Sequence, residues 1–133
     1  MVKTMMKLFC EKLNEENLFY QIHEENNVVT IGYSGKNFKS LTFAVIFDDD
    51  GSAVSIKAYS IATFKKNQLE DAYKFCNEMN TKYRWVKFYV DDDNELTASS
   101  DAIITKESIA EECIRMLALI ISIVDSACEV LYS

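Results

Sequence analysis

The chain has no proline, one histidine and two arginines, and these shortages exclude several kinds of site. Without proline, there can be no rigid proline-rich recognition segment. With His23 alone, a metal site built from several histidines is excluded. The 14 basic side chains are outnumbered by 21 acidic ones, for a formal net charge of −7. A nucleic acid is therefore not an expected partner.

Long hydrophobic runs are also missing. The longest one, from Met116 to Val124, covers about half of a membrane span or less. The N-terminal segment has lysines but no unbroken apolar stretch of the kind that a signal peptide needs. We therefore predict a cytoplasmic protein without membrane insertion. The cysteines show no C-x-x-C spacing and suit reduced, buried thiols in the cytosol; they are Cys10, Cys76, Cys113 and Cys128.

No catalytic constellation is present. His23 lies beside Glu24 and Glu25 in a short predicted strand, which is typical of a solvated histidine without a positioned nucleophile. The segment Gly32 to Lys36 resembles a phosphate loop only superficially, because strands follow it where a P-loop needs a helix. We predict that the protein is not an enzyme and carries no cofactor or metal.

The hydrophobic periodicity predicts a single α+β domain over residues 1–133 with the order α-ββββ-α-ββ-α. An antiparallel sheet of about five to six strands is expected, with helices packed on it. Asn67 is the predicted N-cap of the second helix, and a Thr105-x-x-Ser108 box begins the third, of about 25 residues. The predicted helices are 2–15, 67–81 and the segment from 105 onwards; the predicted strands are 19–23, 28–33, 41–47, 53–61, 85–90 and 95–102.

Two acidic turns carry candidate cation ligands, Asp48–Gly51 and Asp91–Asn94. Carboxylate oxygens are the ligands that Ca²⁺ prefers, but neither turn has the alternating spacing of an EF-hand. Solvated hairpin turns are one interpretation. A weak divalent-ion site shared between the two turns is the other.

Asn77 and Asn80 lie three residues apart near the end of the second predicted helix, on neighbouring positions of its surface. Their amides can bond the last free carbonyls of the helix or the backbone of the next strand, which would make a structural latch. Contact with a polar ligand is the alternative.

The closing helix is apolar almost all round at its middle, from Leu119 to Val124. Such a helix must be buried on more than one side. Either the other helices cover it within the monomer, or a second subunit or a client protein does. The candidate protein-binding residues are Leu119, Ile120, Ile123 and Val124, with Trp85 and Tyr89 on the sheet as a second surface.

The segments Cys76–Asn80 and Trp85–Leu96, followed by Asp101 and a long apolar helix, resemble the YbjN family of bacterial sensory-transduction regulators. Asn77, Asn80 and Asp101 match the family motif. The resemblance implies a fold similar to that of type III secretion chaperones, which are small, acidic, cytosolic, often dimeric and act by binding other proteins.

Together these observations predict a non-catalytic protein-binding or regulatory domain of chaperone-like type. Its partner would be a client protein or a second copy of the chain, bound at an apolar surface of the sheet and closing helix. The alternative function is a small-ligand or divalent-ion sensor that uses the acidic turns.

Overall fold

A computed structural model describes residues 1–133 as three α-helices and one six-stranded antiparallel sheet. The predicted class and element order are confirmed. The elements are α1 (Val2–Glu15), β1 (Gln21–His23), β2 (Val28–Tyr33), β3 (Leu41–Phe47), β4 (Ala53–Ala58), α2 (Leu69–Lys82), β5 (Lys87–Val90), β6 (Leu96–Ile103) and α3 (Ile109–Leu131). Short 3-10 helices, Glu24–Asn26 and Lys66–Gln68, precede β2 and α2.

The strand order in the sheet is β1-β2-β3-β4-β6-β5. The first four strands form a meander, and the β5–β6 hairpin then joins it through β6. Ile56 of β4 stands between Val45 of β3 and Ser100 of β6 in the register. Because β6 lies between β4 and β5, the two edge strands of the sheet are β1 and β5.

One face of the sheet, the inner face, carries the core. Phe43, Val45 and Phe47 are alternate residues of β3, and all three are buried on this face. Their neighbours on β4, Val54, Ile56 and Ala58, share this face. All three helices contribute to the same hydrophobic cluster. The opposite, outer face is therefore left without a helix.

The α1 helix spans the predicted residues and packs through its apolar stripe, with Phe9 and Phe47 as an aromatic pair whose ring centroids are 6.1 Å apart. Its buried residues are Met5, Met6, Phe9, Cys10 and Leu13. This amphipathic pattern explains why the sequence located the helix correctly.

The predicted N-cap of α2 is wrong. Asn67 lies inside the 3-10 helix Lys66–Gln68, and the Oε1 atom of Gln68 accepts a hydrogen bond of 2.8 Å from the backbone N–H of Lys65. The Gln68 side chain thus bonds the backbone N–H that precedes the 3-10 helix, and no side chain caps the first N–H groups of α2.

The Thr105-x-x-Ser108 segment leads into α3 as predicted, and its side chains bond within the turn that precedes the helix. The backbone N–H of Thr105 donates to Ser108 Oγ at 2.9 Å, and the N–H of Ser108 donates to Thr105 Oγ1 at 3.2 Å. The helix that follows has 23 residues. None of the helices combines the length and the apolar character that crossing a membrane requires.

Candidate functional site

The middle of α3 lies in the core of the monomer. Ile120 and Val124 are fully buried and Ile123 is 7% exposed. The helix packs on α1 and on strands β6 and β4, which together cover its wide apolar surface. The structure therefore corrects the prediction that Ile120, Ile123 and Val124 form a binding surface, because these side chains are not accessible in the folded chain.

The other predicted binding residues are at the surface but lie apart. Leu119 is half-buried on α3. Tyr89 is half-buried and pairs with Thr97 on the outer face, away from the face that α3 covers. Trp85 precedes β5, is 71% exposed and has a positive φ of 72°. The structure thus brings neither Trp85 nor Tyr89 to the closing helix.

A groove of about 550 Å³ runs along α3 beside the end of β2. The groove lies where the pairing between β1 and β2 has ended. Gln21 and Thr30 are the last pair, so Ile31 to Tyr33 of β2 have no neighbouring strand on that side. The apolar residues that line this groove are Leu18, Ile31, Tyr33, Ile114, Leu117, Ala118 and Ile121. We call this the α3–β2 groove.

The loop between β2 and β3 closes one end of the α3–β2 groove. The backbone N–H of Asn37 donates to Asp125 Oδ1 at 2.7 Å, and the Asn37 side chain donates to the carbonyl oxygen of Asp125 at 3.2 Å. A Cβ atom at Gly35 would overlap Asp125 and Phe38, so glycine is required where the loop meets α3.

The rim of the groove carries charge of both signs. Glu16, Asp125 and Lys36 line it. Near the end of α1, Lys12 forms ion pairs with Glu16 at 3.4 Å and with Glu111 of α3 at 3.0 Å. The hydrogen bond to Glu111 raises the pKa of Lys12 above its ordinary value.

The two acidic turns lie at opposite ends of the sheet. Residues 48–51 lie at the end of β4 where Ala53 pairs with Ile103. Residues 91–94 lie at the other end, where Ala58 pairs with Ala98 and β6 begins at Leu96. The length of β4, roughly 20 Å at about 3.4 Å per residue, separates them. The interpretation of one cation site shared between the turns is therefore wrong.

Within the β5–β6 turn, Asp91 shapes the backbone. Its Oδ1 atom accepts hydrogen bonds from the N–H groups of Asp93 and Glu95 at 2.9 and 3.0 Å, and Oδ2 accepts one from Thr97 Oγ1 at 3.2 Å. The carboxylates of Asp91, Asp93 and Glu95 lie within 4.8 Å of one another. At the other turn, hydrogen bonds from Ser52 lower the pKa of Asp50.

Asn80 makes the latch that its position predicted. Its Nδ2 atom donates to the carbonyl oxygen of Phe88 at 3.0 Å, and its Oδ1 atom accepts from the N–H of Phe88 at 2.7 Å. The amide thereby takes the place of a neighbouring strand at the edge of β5. Asn77 is exposed and its side chain makes no hydrogen bond; its backbone carbonyl accepts one from Thr81 Oγ1 at 2.8 Å. Asp101 accepts a hydrogen bond from Ser55 on the outer face.

The remaining polar and sulfur groups match the sequence-based expectations. His23 is exposed, and its Nε2 atom lies 3.0 Å from Thr30 Oγ1. All four cysteines are free and buried. Burial raises the pKa of Cys113 to about 12 and that of Cys128 to about 11, so these thiols remain protonated at neutral pH.

The family model of YbjN, described as "Putative bacterial sensory transduction regulator", matches residues 8–132. The chain belongs to the YbjN family. The prediction made from the asparagine segment, the acidic hairpin and the closing helix is thus confirmed. A comparison with the curated proteins finds no match.

Solved structures place this YbjN-family chain in the same fold as two other proteins. The crystal structure of YbjN from E. coli aligns with a TM-score of 0.65 and 13% identity over 96% of this chain and 92% of that chain. The Yersinia pestis type III secretion chaperone SycH, in complex with a stable fragment of YscM2, aligns with a TM-score of 0.62 and 10% identity over 92% and 98%. The predicted chaperone-like fold is confirmed.

Proposed function

We propose that this YbjN-family protein is a non-catalytic, chaperone-like domain that binds a client protein in the cytoplasm. The observation that carries the proposal is the α3–β2 groove, an open apolar channel along a helix whose other sides are already covered. The fold supports it, because the similar SycH structure holds a fragment of another protein. The lack of a positioned nucleophile beside His23 argues against catalysis.

The expected occupant is a basic amphipathic helix of the client. The groove floor offers apolar side chains from α3 and β2, which suits the apolar stripe of such a helix. The chain has a net charge of −7, and its groove is lined by Glu16 and Asp125 together with Lys36, while Lys12 pairs with Glu16 nearby. Basic residues flanking the stripe would therefore be favoured electrostatically.

A synthetic peptide tests this proposal. We expect a leucine–lysine peptide of about four helical turns, with its leucines on one face, to bind about tenfold more tightly than a scrambled peptide of the same composition. Ala118→Glu, an exposed change inside the groove, should remove this difference. Titration calorimetry measures the affinities.

The matched control is Val130→Glu, which introduces the same side chain on α3 outside the groove and should leave the preference intact. If both peptides bound equally well, binding would depend only on their charge and not on the apolar stripe, which would contradict the proposal. A solution mass near twice 15.3 kDa that returns to one chain in Ala118→Glu would assign the groove to self-association instead.

The second candidate function is a divalent-ion sensor, which the Asp91, Asp93 and Glu95 cluster favours. Because Asp91 already accepts three hydrogen bonds and Ca²⁺ requires six to eight oxygen ligands, we expect calcium to leave the melting temperature unchanged. A rise of several degrees, lost in Asp93→Asn, would instead support the sensor. Thermal melting with calcium, and with magnesium as a comparison, makes the distinction.

A further inference from the structure

The outer face of the sheet holds a row of side chains that the client-binding proposal does not use. Ser99 lies in the middle of this row on β6. Its register partners are Lys57 on β4 and Lys87 on β5. Paired residues of an antiparallel sheet point to the same side, so the two lysines flank the serine directly.

The hydroxyl of Ser99 has no hydrogen-bond partner. The residue is 2% exposed, and its Oγ atom is the buried side-chain polar atom that remains unsatisfied in the structure. Buried hydroxyls are nearly always bonded, because leaving one unpaired costs free energy. An unpaired hydroxyl between two cations therefore needs an explanation.

Both lysines also lack an acidic partner. The ion pairs of the molecule use Lys12, Lys74 and Arg115. The nearest acid along β6 on this face is Asp101, which accepts a hydrogen bond from Ser55. The charged side chains directly beside Ser99 are thus both basic, on a chain with a net charge of −7.

We propose that Ser99, Lys57 and Lys87 form a binding site for an anionic oxygen group, a phosphate or a carboxylate. The strand spacing places the Cα atoms of the lysines about 10 Å apart, so their ammonium groups can converge over β6. The anion would accept a hydrogen bond from Ser99 Oγ once the lysine side chains move apart, and one from each ammonium group. Tyr89, beside Thr97 in the next row, offers an aromatic surface to the rest of the ligand.

Inorganic phosphate and a short polyglutamate peptide are the probes, titrated calorimetrically at low salt and neutral pH. We expect binding by the intact chain and an affinity about tenfold weaker in the double variant Lys57→Gln/Lys87→Gln. The control Lys65→Gln/Lys66→Gln removes the same two charges from exposed residues elsewhere and should keep the affinity. Tighter binding of phosphate identifies a small anion, and tighter binding of the peptide identifies an acidic protein segment.

Ser99→Ala separates a ligand role from a structural one. Because the hydroxyl is unpaired, its removal should leave the melting temperature unchanged or higher while the affinity for the anion falls about tenfold. A lower melting temperature would show that the hydroxyl has a structural partner and would overturn the proposal. Equal losses in the two double lysine variants, or no binding by either probe, would do the same.

Discussion

Ile120→Asp is expected to prevent the chain from folding. Ile120 is fully buried between α1 and the sheet, and no cation lies in the hydrophobic cluster to pair with a new carboxylate. Burying an unpaired charge and losing an apolar side chain together exceed about 5 kcal/mol, which is the lower end of the stability of a small domain. Circular dichroism should show the loss of native structure at room temperature.

Two variants of the same helix control this result. Ile120→Val keeps the site apolar and should cost about 1 kcal/mol in urea unfolding. Ala118→Glu introduces a carboxylate at an exposed position two residues away and should fold normally. A folded Ile120→Asp variant that changed only the mass in solution would contradict the buried placement and return Ile120 to an intermolecular surface.

Asn80→Ala is expected to lower the free energy of unfolding by about 2 kcal/mol. The change removes both hydrogen bonds to Phe88 and leaves the N–H and carbonyl of an edge strand without partners. The amide of Phe88 should also exchange its hydrogen faster. Urea unfolding and native-state hydrogen exchange measure the two effects.

Asn77→Ala is the matched control. It removes an asparagine side chain from the same helix, and this side chain makes no hydrogen bond in the structure. Its effect should remain within about 0.5 kcal/mol. If both variants lost the same free energy of unfolding, the loss would come from replacing asparagine in the helix. The hydrogen bonds of Asn80 to β5 would then contribute no measurable stability. An exposed β5 edge would also make Asn80→Ala more prone to aggregate than Asn77→Ala.

These variants concern residues whose roles the sequence predicted to different degrees. The position of Asn77 and Asn80 at the end of a helix predicted a latch either to the last helix carbonyls or to the following strand, and the structure shows that Asn80 alone bonds the strand. The same reasoning could not assign Ile120, because an apolar helix surface does not say whether α1 or another molecule covers it. The bond between Asn37 and Asp125 joins residues 88 positions apart, so no local pattern in the sequence predicts it.

The sequence by itself determined the α+β class, the order of the elements and the family, because these follow from local periodicity and short motifs. Only the tertiary structure decided how the β5–β6 hairpin joins the first four strands. The placement of β6 between β4 and β5 brings Lys57, Ser99 and Lys87 into one row and sends the two acidic turns to opposite ends of the sheet. Long-range strand pairing depends on how all side chains pack together, which no local pattern records.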